Sequence, residues 1–131
     1  WRGTPFSIRI IEGDARPNEL VDIAVRWTRS LKDNRLGQAR YALRLSAGDP
    51  VFKVDDFALV TRHPLQGDRL LTDREIELTA AHEMGHALGL PHSDATRDVM
   101  YPENTALSLT ARDYRTMEAV YRIPTGALIK R

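Results

Sequence analysis

The chain contains no cysteine. No disulfide staples the fold, and no thiolate is present to act as metal ligand or nucleophile. The redox compartment is left open. No apolar run approaches the roughly eighteen residues of a membrane span, and no secretory signal is visible. The first residue is Trp1 rather than Met, which reads as a trimmed or processed form that would have lost any targeting or pro-segment. Internal repeats, low-complexity tracts and linkers are lacking too. An excess of one charge is also missing: nineteen basic against eighteen acidic residues leave a net charge of +1. Arginines dominate the basic set but are scattered among acids, as on a solvated surface. That balance excludes the basic block of a nucleic-acid or membrane-surface binder. What remains is 131 residues with 42% hydrophobic content, enough for one domain with a real core.

Periodicity along the chain gives the expected elements. Phe6 to Ile11 alternates as a strand does. Gly13 to Asn18 reads as a turn. Leu20, Ala24, Trp27 and Leu31 recur at helical spacing, which predicts an amphipathic helix over 17–32, ended by Asn34 and Gly37. Tyr41, Leu43 and Leu45 define a strand over 40–46, and 47–50 is a turn. One or two strands occupy 51–61, followed by a loop over 63–68. Thr72 and Glu75 form a capping box for a helix that Gly89 and Pro91 end. Thr110, with Asp113 three residues on, starts a last helix that stops at Pro124. The order of strand, helix, several strands, helix, irregular stretch and helix is α+β.

The chemistry concentrates in residues 82–92. His82 and His86 are four apart, so one helical face directs both imidazoles to a common point. A single helix does not readily supply a third ligand to a tetrahedral zinc. Gly89 permits a turn with positive φ, and His92 then arrives from the other side. Three protein ligands leave a fourth position open, the mark of a catalytic rather than a structural zinc. Glu83, offset by about 100° from His82 on the helix, lies beside the metal position, where it serves as general base for water and passes the proton to a leaving amine. A bare His-Glu-x-x-His arises by chance in unrelated helices; Gly89 and His92 at fixed offsets make the pattern specific. The fourth histidine, His63, has no spaced partner and reads as a loop residue.

The run from His82 to His92 resembles the extended zinc signature of the metzincins. Met100, within Asp98-Val99-Met100-Tyr101-Pro102, resembles that family's Met-turn, a hydrophobic floor beneath the metal. Ser93 directly after the third histidine and the Met-Tyr-Pro sequence are similar to the matrixin branch. Pro102 stands where the astacin branch has a zinc-binding tyrosine, so no tyrosine ligand is assigned. Firm from Thr72 to Pro124, the resemblance implies a metzincin-type fold. It comprises a small twisted mixed sheet, an active-site helix, a further upper helix and a C-terminal helix. A cleft separates an upper subdomain, about 1–91, from a lower one, 92–131. It implies that Asp113 is buried and bonded toward the Met-turn. It also implies one catalytic zinc. Of the structural zinc and calcium sites of matrixins, His63, Gly67, Asp68 and Asp55-Asp56 lie in the right region. The other histidines and a spaced oxygen-ligand loop do not appear. Arg112 replaces an additional acid with which many matrixins hold a freed N-terminus.

By the same resemblance the chain is a secreted or extracytoplasmic endopeptidase, monomeric, taking an extended peptide alongside an edge strand. Phe57 to Arg62 is the candidate edge. Tyr101 and Pro102 begin a pocket wall that runs to Leu107, and Arg62 or Arg97 at a rim would favour acidic substrates. Compact early segments predict short inter-strand loops and an open cleft. Two other readings use the same residues: a zinc-bound domain that binds peptides without cutting, against which the intact Glu83 argues, and a zinc hydrolase of non-protein substrates.

Overall fold

In a computed structural model of the chain, the described residues are Trp1, 7–13, 22–46 and 49–124, with backbone alone for 43–46 and 49–53. Three strands and two helices follow in the order β1 (Ala24–Thr28), β2 (Gly37–Ser46), β3 (Asp49–Val60), α1 (Asp73–Ala87) and α2 (Ala111–Arg122). The sheet order is β1-β3-β2, with β1 parallel and β2 antiparallel to β3. This is an α+β fold with a small mixed sheet. Only two residues separate β2 from β3, whereas the connection from β3 to α1 spans 61–72.

Three expectations need correction. Residues 24–28 are a strand, not part of a helix over 17–32. Val25 and Trp27 pair with Phe57 and Leu59, and these β-prone residues satisfy a sheet register that overrides the 3.6-residue spacing. A short 3₁₀ turn at Lys32–Asn34 follows instead of a helix end. Secondly, Ser7 to Ile11 is not a strand: among the described residues none pairs with it, and Ile10 is 82% exposed. Thirdly, β3 is the central strand, so Phe57 to Val60 is bonded on both sides and is not an edge. Phe6, the start of the proposed first helix, the 47–48 turn and the tail from Thr125 lie outside the described residues.

β3 carries a bulge. Arg40 pairs with Asp56 but Tyr41 with Val54, leaving Asp55 as the extra residue. The bulge changes the phase of β3, so that Val54 and Phe57, three apart, are both buried. Arg26 and Arg40 both bond the Asp56 carboxylate, which ties β1 and β2 together across β3 and holds that carboxyl below its usual range. A second apolar cluster, Leu78, Leu90, Val99, Met100, Ala106 and Met117, joins α1, the segment after it and α2. Trp1 packs on this cluster, donates from its indole N–H to the Ala81 carbonyl at 3.0 Å and meets Tyr114 edge-on.

Both helices begin as their sequences predict. Thr72 accepts from the Glu75 N–H while the Glu75 carboxylate takes the Thr72 N–H. Thr110 and Asp113 make the same reciprocal pair for α2. At the end of α1, the Gly89 N–H bonds His86 O at 3.0 Å and the Leu90 N–H bonds Gly85 O at 2.9 Å. That pair of bonds is a Schellman closure, and it requires the positive φ of +93° found at Gly89.

Candidate metal centre and its cleft

The helix α1 presents His82 and His86 on one face, and the closure at Gly89 turns the chain so that His92 meets them. The ring centroids lie 4.7 Å apart for His82 and His86, 5.3 Å for His82 and His92, and 4.7 Å for His86 and His92. One ligand nitrogen from each falls within 4.8 Å of the others, and no other such group occurs among the described residues.

The donor set fits a zinc ion. His82 Nδ1 lies 2.6 Å from Val99 O and His86 Nδ1 lies 2.9 Å from Leu90 O. A carbonyl only accepts, so each Nδ1 carries the proton and each Nε2 keeps its lone pair for a metal. The Nε2 atoms of His86 and His92 are 3.1 Å apart. Tetrahedral zinc with 2.0–2.1 Å bonds sets neighbouring ligands about 3.3 Å apart. Burial lowers the proton affinity of His82, and brings His86 to about 4, so both are neutral at neutral pH and need lose no proton to bind.

Glu83 is buried next to this cluster. Desolvation raises its pKa to about 7 in the absence of metal, opposed by the Ala39 N–H and by the charge of Arg35. Gly37 makes the approach possible. A Cβ there would fall 2.7 Å from Glu83 Cγ and Oε1 and from Thr79 Cγ2. The strand β2 therefore runs along α1, with Gly37 against Thr79 and Glu83, Ala39 bonded to Glu83, and Tyr41 edge-on to His86 at 6.3 Å.

Below the histidines, Met100 is 2% exposed. Its Sδ would lie 2.2 Å from a Cβ on Gly85, so the absent side chain at residue 85 is what lets Met100 lie flat under α1. The loop that delivers Met100 is fixed from both ends. The Ser93 N–H bonds Met100 O at 2.9 Å, and Ser93 Oγ donates to Asp98 Oδ2 at 2.6 Å. Buried Asp113 accepts from the N–H groups of Val99 at 3.1 Å and Met100 at 3.4 Å, and from Thr110. The chain of contacts thus runs from α2 through Asp113 and Val99 to the His82 ring. Arg112 pairs with Asp94 at 2.6 Å and Asp98 at 3.5 Å.

A cleft of about 1050 Å³ opens over the cluster. Its walls include Gly37 to Ala39 and Tyr41 on one side and Pro102, Glu103 and Asn104 on the other; Tyr101 and 105–107 do not reach it. His63 lines the far end, its Nδ1 accepting from the Leu65 N–H. Neither Arg62 nor Arg97 is at the wall; Arg62 is turned to Asp68, and Arg35 is the arginine that faces the cleft. The expected wall of Pro102 to Leu107 is met at Pro102, Glu103 and Asn104, whereas sequence reasoning missed the part that Gly37, Ala39, Tyr41, Thr79 and Gly85 play at the site. Gly37 was read as the end of a helix; it is the first residue of β2, where a glycine permits close backbone approach.

A mixed sheet laid along a helix that bears His-Glu-x-x-His, with a third histidine after a glycine turn, defines the zinc-peptidase class of fold. Within that class the matrixin family model matches residues 16–122, more than four fifths of the sequence, and the chain belongs to the matrixins. The family consists of zinc metallopeptidases that are typically secreted or extracellular. No curated protein matches the chain. No helix among the described residues is long and apolar enough to cross a membrane.

Proposed function

We propose that this chain is a zinc-dependent endopeptidase in which His82, His86 and His92 hold one catalytic zinc and Glu83 is the general base. The observation that carries the reading is the meeting of three imidazoles and one buried carboxylate at a single wall of an open cleft. When bound, zinc supplies Lewis acidity and brings the pKa of water to about 7. The protein's own groups do the rest. Val99 O and Leu90 O keep the two helical imidazoles in the tautomer that offers Nε2. Glu83, held by the Ala39 N–H, removes the proton from attacking water and delivers it to the leaving amine. Met100 and Asp113 keep the floor and the ring of His82 in place.

The peptide lies extended along β2, whose pairing partner among the described residues is β3 alone and whose first residues line the cleft. Residues 1–91 and 92–131 form the two sides of one catalytic domain, which works as a monomer outside the cytoplasm. A mixed peptide library tests the activity. Zinc-loaded protein is expected to cut it, chelated protein and Glu83→Ala are not, and Glu83→Ala is expected to retain zinc. If the zinc-loaded wild type cut nothing across a broad library, the site would be one that binds peptides without cutting.

A further inference from the structure

His82 and His86 are oriented twice, by the helix that carries them and by the carbonyls of Val99 and Leu90. His92 is exposed, and among the described residues no carbonyl holds its ring. Its place is set by the turn that follows it. A cavity of about 200 Å³ lies against that turn, bordered by Leu90, His92, Ser93, Met100 and Arg112, so apolar packing does not fill the space behind the third histidine.

The turn is closed by polar contacts instead. Ser93 Oγ accepts from the Ala95 N–H at 3.1 Å and donates to Asp98 Oδ2 at 2.6 Å, while the Asp98 N–H returns to Ala95 O at 3.0 Å. Asp98 is 4% exposed, and its other oxygen takes the Thr110 hydroxyl at 2.7 Å. A buried carboxylate needs a countercharge. Arg112, in the first turn of α2, provides the contact. Its Nε lies 3.5 Å from Asp98 Oδ2, and an Nη of the same guanidinium donates to Asp94 Oδ1 at 2.6 Å. Arg115 adds positive charge toward Asp98 through space. The two partners of Arg112 are unequal. Asp94 is largely exposed, where an ion pair contributes little. Asp98 is buried, where loss of the partner exposes an uncompensated charge.

We infer that Arg112 is a positioning residue for the metal centre: it grips Asp98 and Asp94, and through the Asp98–Ser93 bond it fixes the turn that presents His92. Where the resemblance to matrixins calls for an acid, this chain has a cation that clamps its own histidine-bearing turn. This role rests on His92 as the third ligand, as proposed above.

Zinc affinity measured by competition with a chelating dye tests it, together with the visible spectrum of the cobalt-substituted protein, which reports ligand geometry. Arg112→Ala is expected to weaken zinc binding about tenfold, the lower end for partners that orient ligands, and to change the cobalt spectrum. Arg112→Lys keeps the cation without the planar fork and is expected to recover part of the loss. Two backgrounds separate this role from simple support of α2. Once Ser93→Ala has cut the link to Asp98, or His92→Ala has removed the ligand, Arg112→Ala is expected to cause no further fall. An Arg112→Ala protein with wild-type zinc affinity and an unchanged cobalt spectrum, or the same fall in both backgrounds, overturns the inference. Wild-type zinc affinity in His92→Ala alone rejects the ligand assignment, and the clamp's role with it.

Discussion

Replacing Gly85 by alanine sets two known effects against each other. Gly85 lies inside α1, where alanine is favoured over glycine by about 1 kcal/mol. Propensity alone therefore predicts stabilisation. The new Cβ, however, would stand 2.2 Å from Met100 Sδ, 3.1 Å from Met100 Cε and 3.2 Å from the Trp1 ring. Met100 is 2% exposed and belongs to the cluster with Leu90, Val99 and Met117, so its sulfur moves aside only by repacking that cluster. Overpacking of such a core costs about 1–3 kcal/mol. At the middle of that range the steric term prevails, with a net loss of about 1 kcal/mol, or roughly 3–4 °C in melting temperature at this chain length. Since the Met100 loop carries Val99, whose carbonyl orients His82, zinc affinity is expected to fall as well. Thermal unfolding of the metal-free protein and zinc titration read both effects. Shortening Met100 to alanine in the same chain opens the space, so the double variant should lose less than the sum of the single changes. A Gly85→Ala protein as stable as the wild type, with unchanged zinc affinity, would refute the reasoning.

Further outcomes follow from the same contacts. Asp113→Ala leaves the N–H groups of Val99, Met100 and Thr110 short of an acceptor and should cost about 2–4 kcal/mol in denaturant unfolding. Gly89→Ala meets nothing closer than Val120 at 3.8 Å, so its cost is backbone strain at φ +93°, about 1–2 kcal/mol by the same method. The pH dependence of the metal-free protein has two opposed parts. His86, brought to about 4 from 6.5, contributes stability that is present above 6.5 and is lost as pH falls toward 4. Glu83, raised from 4.5 to about 7, favours the folded state at low pH and loses that contribution as pH rises through 7. Metal-free Glu83→Gln should therefore be more stable than the wild type at pH 8, with the difference gone below about pH 4.5, as chemical denaturation at the two values would reveal.

The parts of this molecule that were legible in the sequence are those set by local chemistry. The caps of α1 and α2 lie three residues apart in Thr72 and Glu75 and in Thr110 and Asp113, and the closure of α1 needs only Gly89. The histidine cluster inherits that legibility, because helical spacing and one turn bring its members together. β1 was not legible because its state is decided by a parallel partner about thirty residues away, and Val25 and Trp27 suit a strand as well as they suit a helix face. The choice of edge strand failed for the same reason. Apolar content in Phe57 to Val60 marks burial, and only the sheet order says that β2 is outside β3. Thr79 and Asn104 meet across 25 positions through two ordinary polar side chains, a contact that no periodicity announces.

The central claim is that Glu83 performs the proton transfer beside a zinc held by His82, His86 and His92. The most direct test is the steady-state rate of Glu83→Gln against wild type on one cleaved peptide, with zinc content measured in the same samples. The prediction is one equivalent of zinc in both proteins and a rate lower by about 100- to 10,000-fold in the variant. A variant that holds its zinc and cuts at near the wild-type rate would contradict it.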